Sequence, residues 1–212
     1  MSTVSVIGLD IAKNVFQVHA IDERGEVLDR RKIRRAEMLV YFGKLSPCLI
    51  GIEACATAHY WGRMLGALGH EVRLMPPQYV KPYVKRSKTD AADAEAICEA
   101  VSRPSMRFVG IKSSDQQAIL VLHRSRDLLV RQRTMLSNAL RGHLAEFGII
   151  ETQGMAGTMR LVAVIADAGD ARVPDLARQV LGLVAEQLHG VKLRIEDLKR
   201  AMMAWHKQSP VS

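Results

Sequence analysis

Residues 3–75 contain strand-like and helix-like segments in an order that few folds can accommodate. Three strand-like segments come first, over residues 4–9, 15–21 and 26–34, and the turn residues 22–25 predict a hairpin between the last two. Helices and strands then alternate, with a helix over 36–45, a strand over 48–52, a helix over 59–68 and a strand over 71–75. This order predicts an α/β fold with a mixed sheet whose central strands are parallel.

The rest of the chain has the pattern of long helices. Helices are predicted over 89–103, from 113 or 114 to about 147, and from about 174 onward. In the last helix, apolar residues recur in steps of three and four at Leu188, Val191, Ile195, Leu198, Met202 and Trp205. This spacing is typical of a coiled-coil seam, whose partner is the earlier long helix, a second copy of the chain, or both. We therefore expect an α/β domain over 1–110 and a helical, self-associating extension over 111–212.

The charge of the chain indicates the class of its partner. Its 30 lysines and arginines outnumber 22 acidic residues, which gives a net charge of +8. Such an excess favours a polyanion, either nucleic acid or an anionic membrane surface, although a solvated basic surface without a partner has the same composition. Aromatic residues make up only 5% of the chain, which argues against binding single strands mainly by stacking bases on aromatic rings.

The compartment follows from what the sequence lacks. Its three cysteines include no C-x-x-C pair, so neither a disulfide framework nor a structural zinc site is expected. The N-terminus has no signal-peptide pattern, and no apolar stretch approaches the ~20 residues of a membrane span. These features predict a cytoplasmic protein that does not act in a membrane, which leaves nucleic acid as the expected polyanion.

Four carboxylates stand where a metal site is expected. Asp10 and Glu53 follow two buried strand-like runs, and the carboxyl ends of neighbouring central strands are where open α/β sheets place their sites. Asp90 and Asp93, three residues apart, lie on one face of a predicted helix. Oxygen ligands suit Mg²⁺ or Mn²⁺, and two such ions can assist phosphoryl transfer. Each acid also has a structural interpretation, because Asp10 can simply end a strand and the two aspartates can complement a helix N-terminus.

Basic residues accompany these acids. The candidate phosphate-binding residues are Lys81, Lys85, Arg86 and Lys88, which precede Asp90, and Arg124 and Arg131 on the first long helix. Cations beside a metal site would hold the backbone of a nucleic acid near the metal ions. The alternatives are a solvated face for the lysine-rich group and the outer face of a helical bundle for the arginines.

Three strings carry a resemblance to a known family. They are V-I-G-L-D-I-A-K-N-V-F, G-I-E-A-C-A-T-A-H-Y-W and P-P-Q-Y-V-K-P-Y-V-K-R-S-K-T-D-A-A-D-A-E, of which the third is the most specific. Together they resemble the DEDD transposases of bacterial insertion sequences. That family is related to the Piv-type DNA invertases, and its N-terminal domain resembles the RuvC Holliday-junction resolvase. The similarity extends over nearly the whole chain, including the long helices.

The resemblance implies a fold, a site and partners. It implies a ribonuclease-H-like (RuvC-like) domain in which Asp10, Glu53, Asp90 and Asp93 form the metal-binding and catalytic tetrad for cleaving and joining DNA. Some family members use a structured guide RNA, so RNA is a candidate partner beside DNA. The family also carries a C-terminal domain with a nucleophilic serine, which we expect to be missing from this sequence. Ser209 and Ser212 do not match its motif.

Other functions remain open from the residues alone. A sugar-kinase or actin-like ATPase begins with a similar strand, but it needs a glycine-rich phosphate loop that this sequence lacks. A stand-alone, structure-specific nuclease would use the same four acids with water as the nucleophile. In a third interpretation the acids are vestigial, and the chain is a nucleic-acid-binding and oligomerisation module.

Overall fold

A computed structural model describes residues 3–84 and 90–208, with the side chains of Asp90 and Gln208 excepted. The chain divides into two compact units, Met1–Asp115 and Gln116–Ser212, and the boundary lies in the first turn of a long helix.

The first unit is built on a five-stranded mixed sheet. Its strands are β1 (Val6–Ile11), β2 (Val15–Ile21), β3 (Val27–Arg34), β4 (Leu49–Glu53) and β5 (Glu71–Met75), and their spatial order is β3-β2-β1-β4-β5. The first three strands pair in antiparallel fashion, whereas β4 pairs in parallel with both β1 and β5. The α/β class and the mixed sheet predicted from the sequence are therefore confirmed, and this arrangement fits a ribonuclease-H-like fold.

The first strand ends later than the sequence suggests. The apolar run predicts a strand over 4–9 with Asp10 at its end, but β1 continues to Ile11. The prediction was wrong because antiparallel pairing with β2 continues through the pairs Asp10–Gln17 and Ile11–Phe16. Asp10 is thus held inside the ladder with β2 rather than at the start of a turn.

Four helices accompany this sheet. They are α1 (Met38–Phe42), α2 (Ala58–Ala67), α3 (Pro77–Val80) and α4 (Asp90–Val101), with short 3₁₀ turns at Arg35–Glu37 and Lys81–Tyr83. The helix predicted over 36–45 is therefore shorter than expected. Gly69 has a φ of 94°, as a residue just past the end of α2 requires. Thr89, the predicted cap of α4, lies outside the described residues.

Alternation along the strands gives the sheet a core on each face. One face buries Ile7, Leu9, Ile50 and Ile52 with Trp61 and Leu65 of α2. The other face carries α4, whose Ala96, Ile97, Ala100 and Val101 form a second cluster with Met75 and Val80. A central sheet buried on both faces explains why β1 and β4 consist of nearly continuous apolar runs.

The second unit is helical. Its helices are α5 (Ser114–Ala145), α6 (Met155–Ala166) and α7 (Asp175–Gln208), and α6 is an element that the sequence pattern did not predict. The core of the unit contains buried aliphatic residues from all three helices: Leu140, Leu144, Leu161, Ile165, Leu181 and Leu188. Burial against this core explains α6, because a twelve-residue helix without a side-chain cap is only marginally stable by itself.

The predicted seam of α7 is buried over part of its length. Leu188, Val191 and Ile195 are buried, whereas Trp205 near the end of the helix is 40% exposed. The coiled coil itself stays a prediction. No helix in the described part of the chain combines the length and the apolar character needed to cross a membrane.

Candidate metal centre

Strand register sets the positions of the first two acids. Leu9 of β1 is paired with Ile52 of β4 in a parallel ladder. Asp10 and Glu53 each follow one member of this pair, so they stand at equivalent positions at the carboxyl edge of the sheet. Both side chains are half-buried. The sequence prediction that these two acids lie at one edge agrees with the register.

A pair of glycines decides which face the acids occupy. Gly8 and Gly51 are partners in the same ladder, two residues before Asp10 and Glu53. A Cβ atom on Gly8 would lie 2.0 Å from the carbonyl oxygen of Ala94 in α4. A Cβ atom on Gly51 would lie 2.7 Å from Cβ of Val101, also in α4. Because residues two apart in a strand share a face, Asp10 and Glu53 are on the side of the sheet that α4 covers.

The close approach of α4 brings a third acid to this edge. Ala94 lies over Gly8, and Asp93 precedes it by one residue. Burial first, and then the negative charge of Asp93, raise the pKa of Glu53 above its ordinary value. Glu53 and Asp93 are therefore close enough to repel each other. Asp90 begins the same helix, but its side chain lies outside the described residues.

Two further residues at this edge are absent from the sequence prediction. Gln17 is the cross-strand partner of Asp10, is 7% exposed, and has a buried Oε1 atom without a hydrogen-bond partner. Cys55 follows Glu53 closely, and its pKa is raised by burial and then by the charges of Glu53 and Asp10. A polar residue in the apolar strand V-F-Q-V-H-A-I is a signal that could have identified Gln17.

The donor set of this edge fits a hard divalent cation. No described lysine, arginine or histidine forms an ion pair with Glu53 or Asp93, so their negative charge is not balanced by the described part of the chain. Carboxylate oxygens are the ligands preferred by Mg²⁺. A cation would favour the charged form of Glu53, whose pKa is raised by burial first and then by the charge of Asp93. Among the residues whose side chains are described, no three metal-ligating groups already converge on one point.

The predicted basic residues fall in separate places. Lys81 is exposed at the start of the 3₁₀ turn after α3. Lys85, Arg86 and Lys88 lie outside the described residues. Arg124 and Arg131 are exposed on α5, within the second unit. Their role in binding nucleic acid stays a prediction.

Cys55 offers a chemical readout of the acidic edge. Replacing Glu53 with glutamine should speed alkylation of Cys55 by iodoacetamide at mildly alkaline pH about two- to fourfold, because removing a negative charge lowers the pKa of the thiol. Asp10→Asn should have a smaller effect in the same direction. Burial raises the pKa of Cys48 and Cys98 to about 11, so mass spectrometry should find both unmodified in the folded chain.

The matched control is Glu26→Gln, which removes an exposed acid from the turn between β2 and β3. It should leave the alkylation rate of Cys55 unchanged. If Glu53→Gln and Glu26→Gln gave the same rate, the proximity of Glu53 to Cys55 would be wrong.

Comparison with known proteins identifies the family. The sequence model of the DEDD transposase family of the IS110 type, described as "Transposase", matches residues 7–149. A probable family 20 transposase of Pseudomonas aeruginosa is 50% identical over 95% of the chain, and a putative transposase of Sinorhizobium fredii is 44% identical over 97%. The chain spans 60% and 53% of the lengths of these two relatives. The transposase of insertion sequence element IS1328 from Yersinia enterocolitica is 44% identical over 77% of the chain. This match covers 49% of the length of that relative. The acids, their register and this match agree: the chain belongs to the DEDD transposase family.

Proposed function

We propose that this chain carries the acidic catalytic site of a DNA transposase, which cleaves and joins DNA strands when an insertion sequence moves. Family membership and the names of the relatives support this function. The observation that carries it is that the close approach of α4 to Gly8 brings Asp93 to the edge of the sheet where Glu53 stands, although the two residues are far apart in sequence. Such a pair, left without a cation by the described residues, is what a metal-dependent phosphoryl-transfer site requires.

In this proposal the first part of the chain, over residues 1–110, is a RuvC-like domain of the ribonuclease-H-like class. The order β3-β2-β1-β4-β5, with β2 antiparallel to β1, supports that assignment. Residues 111–212 form the helical, coiled-coil extension. Support for the coiled coil comes from the buried stretch of its seam at Leu188, Val191 and Ile195.

Asp10, Glu53, Asp90 and Asp93 are the proposed ligands for Mg²⁺ or Mn²⁺. When bound, the ion would polarise the phosphate and stabilise the negative charge that develops during in-line displacement. The protein's own contribution is to hold Asp10 and Glu53 on neighbouring strands and Asp93 on α4, so that little side-chain freedom is lost on binding. The unpartnered Oε1 of Gln17 provides an acceptor for a water molecule beside Asp10.

DNA is the proposed substrate, held along its backbone by Lys81, Lys85, Arg86, Lys88, Arg124 and Arg131. A structured guide RNA is a second proposed ligand of the same basic residues, and the net charge of +8 supports either polyanion. We also propose that the chain forms homo-oligomers through its helical part. The exposed side chains of Leu176, Val180 and Leu183 on α7 support that proposal, because they follow one another on one face of the helix.

A calorimetric titration with Mg²⁺ and Mn²⁺ tests the site. The wild type should bind the ion, and Asp10→Asn and Asp93→Asn should each weaken binding by about tenfold or more, because each removes one charged ligand. Glu26→Gln removes an exposed acid elsewhere in the first unit and should leave binding unchanged. Circular dichroism should show the same helix content in all four proteins.

Two results would contradict the proposal. One is Asp10→Asn binding the ion as tightly as the wild type, which would place any cation elsewhere. The other is no binding by the wild type, either alone or with duplex DNA, which would favour the nucleic-acid-binding module. If the ion binds and DNA is cut but never joined, the stand-alone nuclease is the better description.

A further inference from the structure

A cavity in the second unit has the chemistry of an anion site. It has a volume of about 470 Å³ and lies between the C-terminal half of α5 and the start of α6. Its lining includes Arg133, Ser137, Asn138, Arg141, Gly154 and Thr158. The lining thus contains two arginines and no carboxylate. This composition distinguishes the cavity from the acidic edge of the sheet.

The positive charge of the cavity is not neutralised by the described residues. Arg133 is half-buried, and no ion pair or hydrogen bond of its side chain occurs in the described part of the chain. Glu151, an acid of the neighbouring turn, is paired with Arg160 at 2.7 Å. A half-buried cation without a counterion is costly, so an anion entering the cavity would be stabilised.

The second cation, Arg141, is fixed by neutral groups. Its Nη2 donates to the carbonyl oxygen of Gly154 at 2.6 Å and to Oγ1 of Thr158 at 2.8 Å. Its Nη1 makes only a 3.5 Å contact with Oδ1 of Asn138, and its buried Nε has no partner among the described residues. Arg141 therefore keeps its full charge and an unused donor while it is held in place.

A buried hydroxyl group also lacks a partner here. Ser137 is only 5% exposed, lines the cavity, and has an Oγ atom with no hydrogen-bond partner among the described residues. A buried polar atom left in this way destabilises the fold. An oxygen-rich ligand in the cavity would accept a hydrogen bond from this hydroxyl, which gives the site an uncharged donor as well as two cations.

The start of α6 adds the positive end of a helix dipole. Gly154 and Met155 line the cavity, and no side chain caps this end of the twelve-residue helix. The N–H groups of a first helical turn have no partner within the helix, and they favour phosphate oxygens. The two arginines, the hydroxyl group of Ser137 and the start of α6 thus all favour a ligand with negatively charged oxygen atoms.

We infer that this cavity binds a phosphodiester group of a nucleic-acid backbone, with Arg133, Ser137 and the start of α6 as the main contacts. The inference rests on the proposed function only in that nucleic acid is the partner of this chain, since the cavity contains none of the four acids. Phosphate contacts of this kind fix the register of a protein on its nucleic acid without reading the base sequence. Duplex DNA and structured RNA both have a phosphodiester backbone, so either can supply the group that enters the cavity.

The test measures binding of a labelled DNA duplex and a labelled RNA hairpin by fluorescence anisotropy, in EDTA and over a range of salt concentrations. Arg133→Ala should weaken binding of at least one of them by about five- to tenfold and reduce the salt slope by about one, as loss of one phosphate contact does. Ser137→Ala should weaken binding of the same nucleic acid by a smaller factor. Arg141 is left intact because it holds Gly154 and Thr158.

Arg194→Ala is the matched control, since Arg194 is an exposed arginine on α7 that does not line the cavity. It should change affinity less than twofold. Equal losses for Arg133→Ala and Arg194→Ala would overturn the inference, because they would show general electrostatic attraction. A wild type that binds inorganic phosphate but neither nucleic acid would also overturn it. Because EDTA removes divalent ions, these outcomes are independent of whether the acidic site binds metal.

Discussion

Gly8→Ala is expected to destabilise the first unit by about 3 kcal/mol, the upper range for overpacking a core. The new Cβ would lie 2.0 Å from the carbonyl oxygen of Ala94 and 2.4 Å from the backbone nitrogen of Cys98. Both atoms belong to the backbone of α4, so no side-chain rotation can relieve the contact and the helix must move away from the sheet. That movement would also carry Asp93 away from Glu53 and weaken binding of a divalent ion.

The measurement is urea unfolding followed by the fluorescence of Trp61, which is buried against the sheet. A Trp205→Phe background removes the only other tryptophan of the chain. Gly66→Ala is the control, because Gly66 lies in α2 with no atom within 4 Å of its ideal Cβ. It should be neutral or stabilise by up to about 1 kcal/mol. An unchanged midpoint for Gly8→Ala would show that α4 does not approach β1 as described.

Arg178→Ala is expected to destabilise the second unit by about 2–3 kcal/mol, because it removes the donors of four carbonyl groups. Its Nη1 donates to the carbonyl oxygens of Val164 and Ile165, both at 3.0 Å. Its Nη2 donates to those of Asp170 at 2.5 Å and Val173 at 3.2 Å. One side chain thus joins the end of α6, the following turn and the start of α7.

Thermal unfolding followed by circular dichroism checks this prediction. Arg172→Ala is the control, since Arg172 is exposed and contacts the half-buried carboxylate of Asp170 in the same turn. An ion pair with one exposed partner, formed within a single turn, contributes little to stability, so this variant should unfold close to the wild type. Arg178→Lys keeps the charge but has one donor group, so it should restore only part of the loss. Equal effects of Arg178→Ala and Arg172→Ala would contradict the bridging role of Arg178.

The positions of Asp10 and Glu53 could be predicted because a buried strand that ends at a functional site has a simple sequence pattern, an apolar run followed by an acid. Two apolar runs ending in an acid predict that Asp10 and Glu53 stand at one edge of the sheet, and the register of β1 and β4 places them there. That these acids and Asp93 form one site stays a prediction. The approach of α4 to the sheet could not be predicted in this way. In the sequence, Gly8 and Gly51 are residues that lower the stability of a strand. Only their pairing in register, under α4, shows that they let the helix approach the sheet.

Two misses have the same physical origin. Helix α6 is short and has no side-chain cap, and it is stabilised by burying Thr158, Leu161 and Ile165 against its neighbours. Gln17 is placed beside Asp10 by a cross-strand pair that no local pattern contains. Long-range contacts decide both features, whereas local periodicity predicted the strands and the long helices.

The arrangement of the acids depends on the correct register of the parallel ladder between β1 and β4. Since Asp10 and Glu53 stand at matched positions, a slip of β4 by one residue would turn Glu53 to the opposite face and bring Ile52 toward α4. The same slip would break the pairing of Gly8 with Gly51 on which α4 rests. A partly folded chain therefore cannot hold a weakened version of this arrangement: the acidic edge forms cooperatively with the sheet and disappears with it.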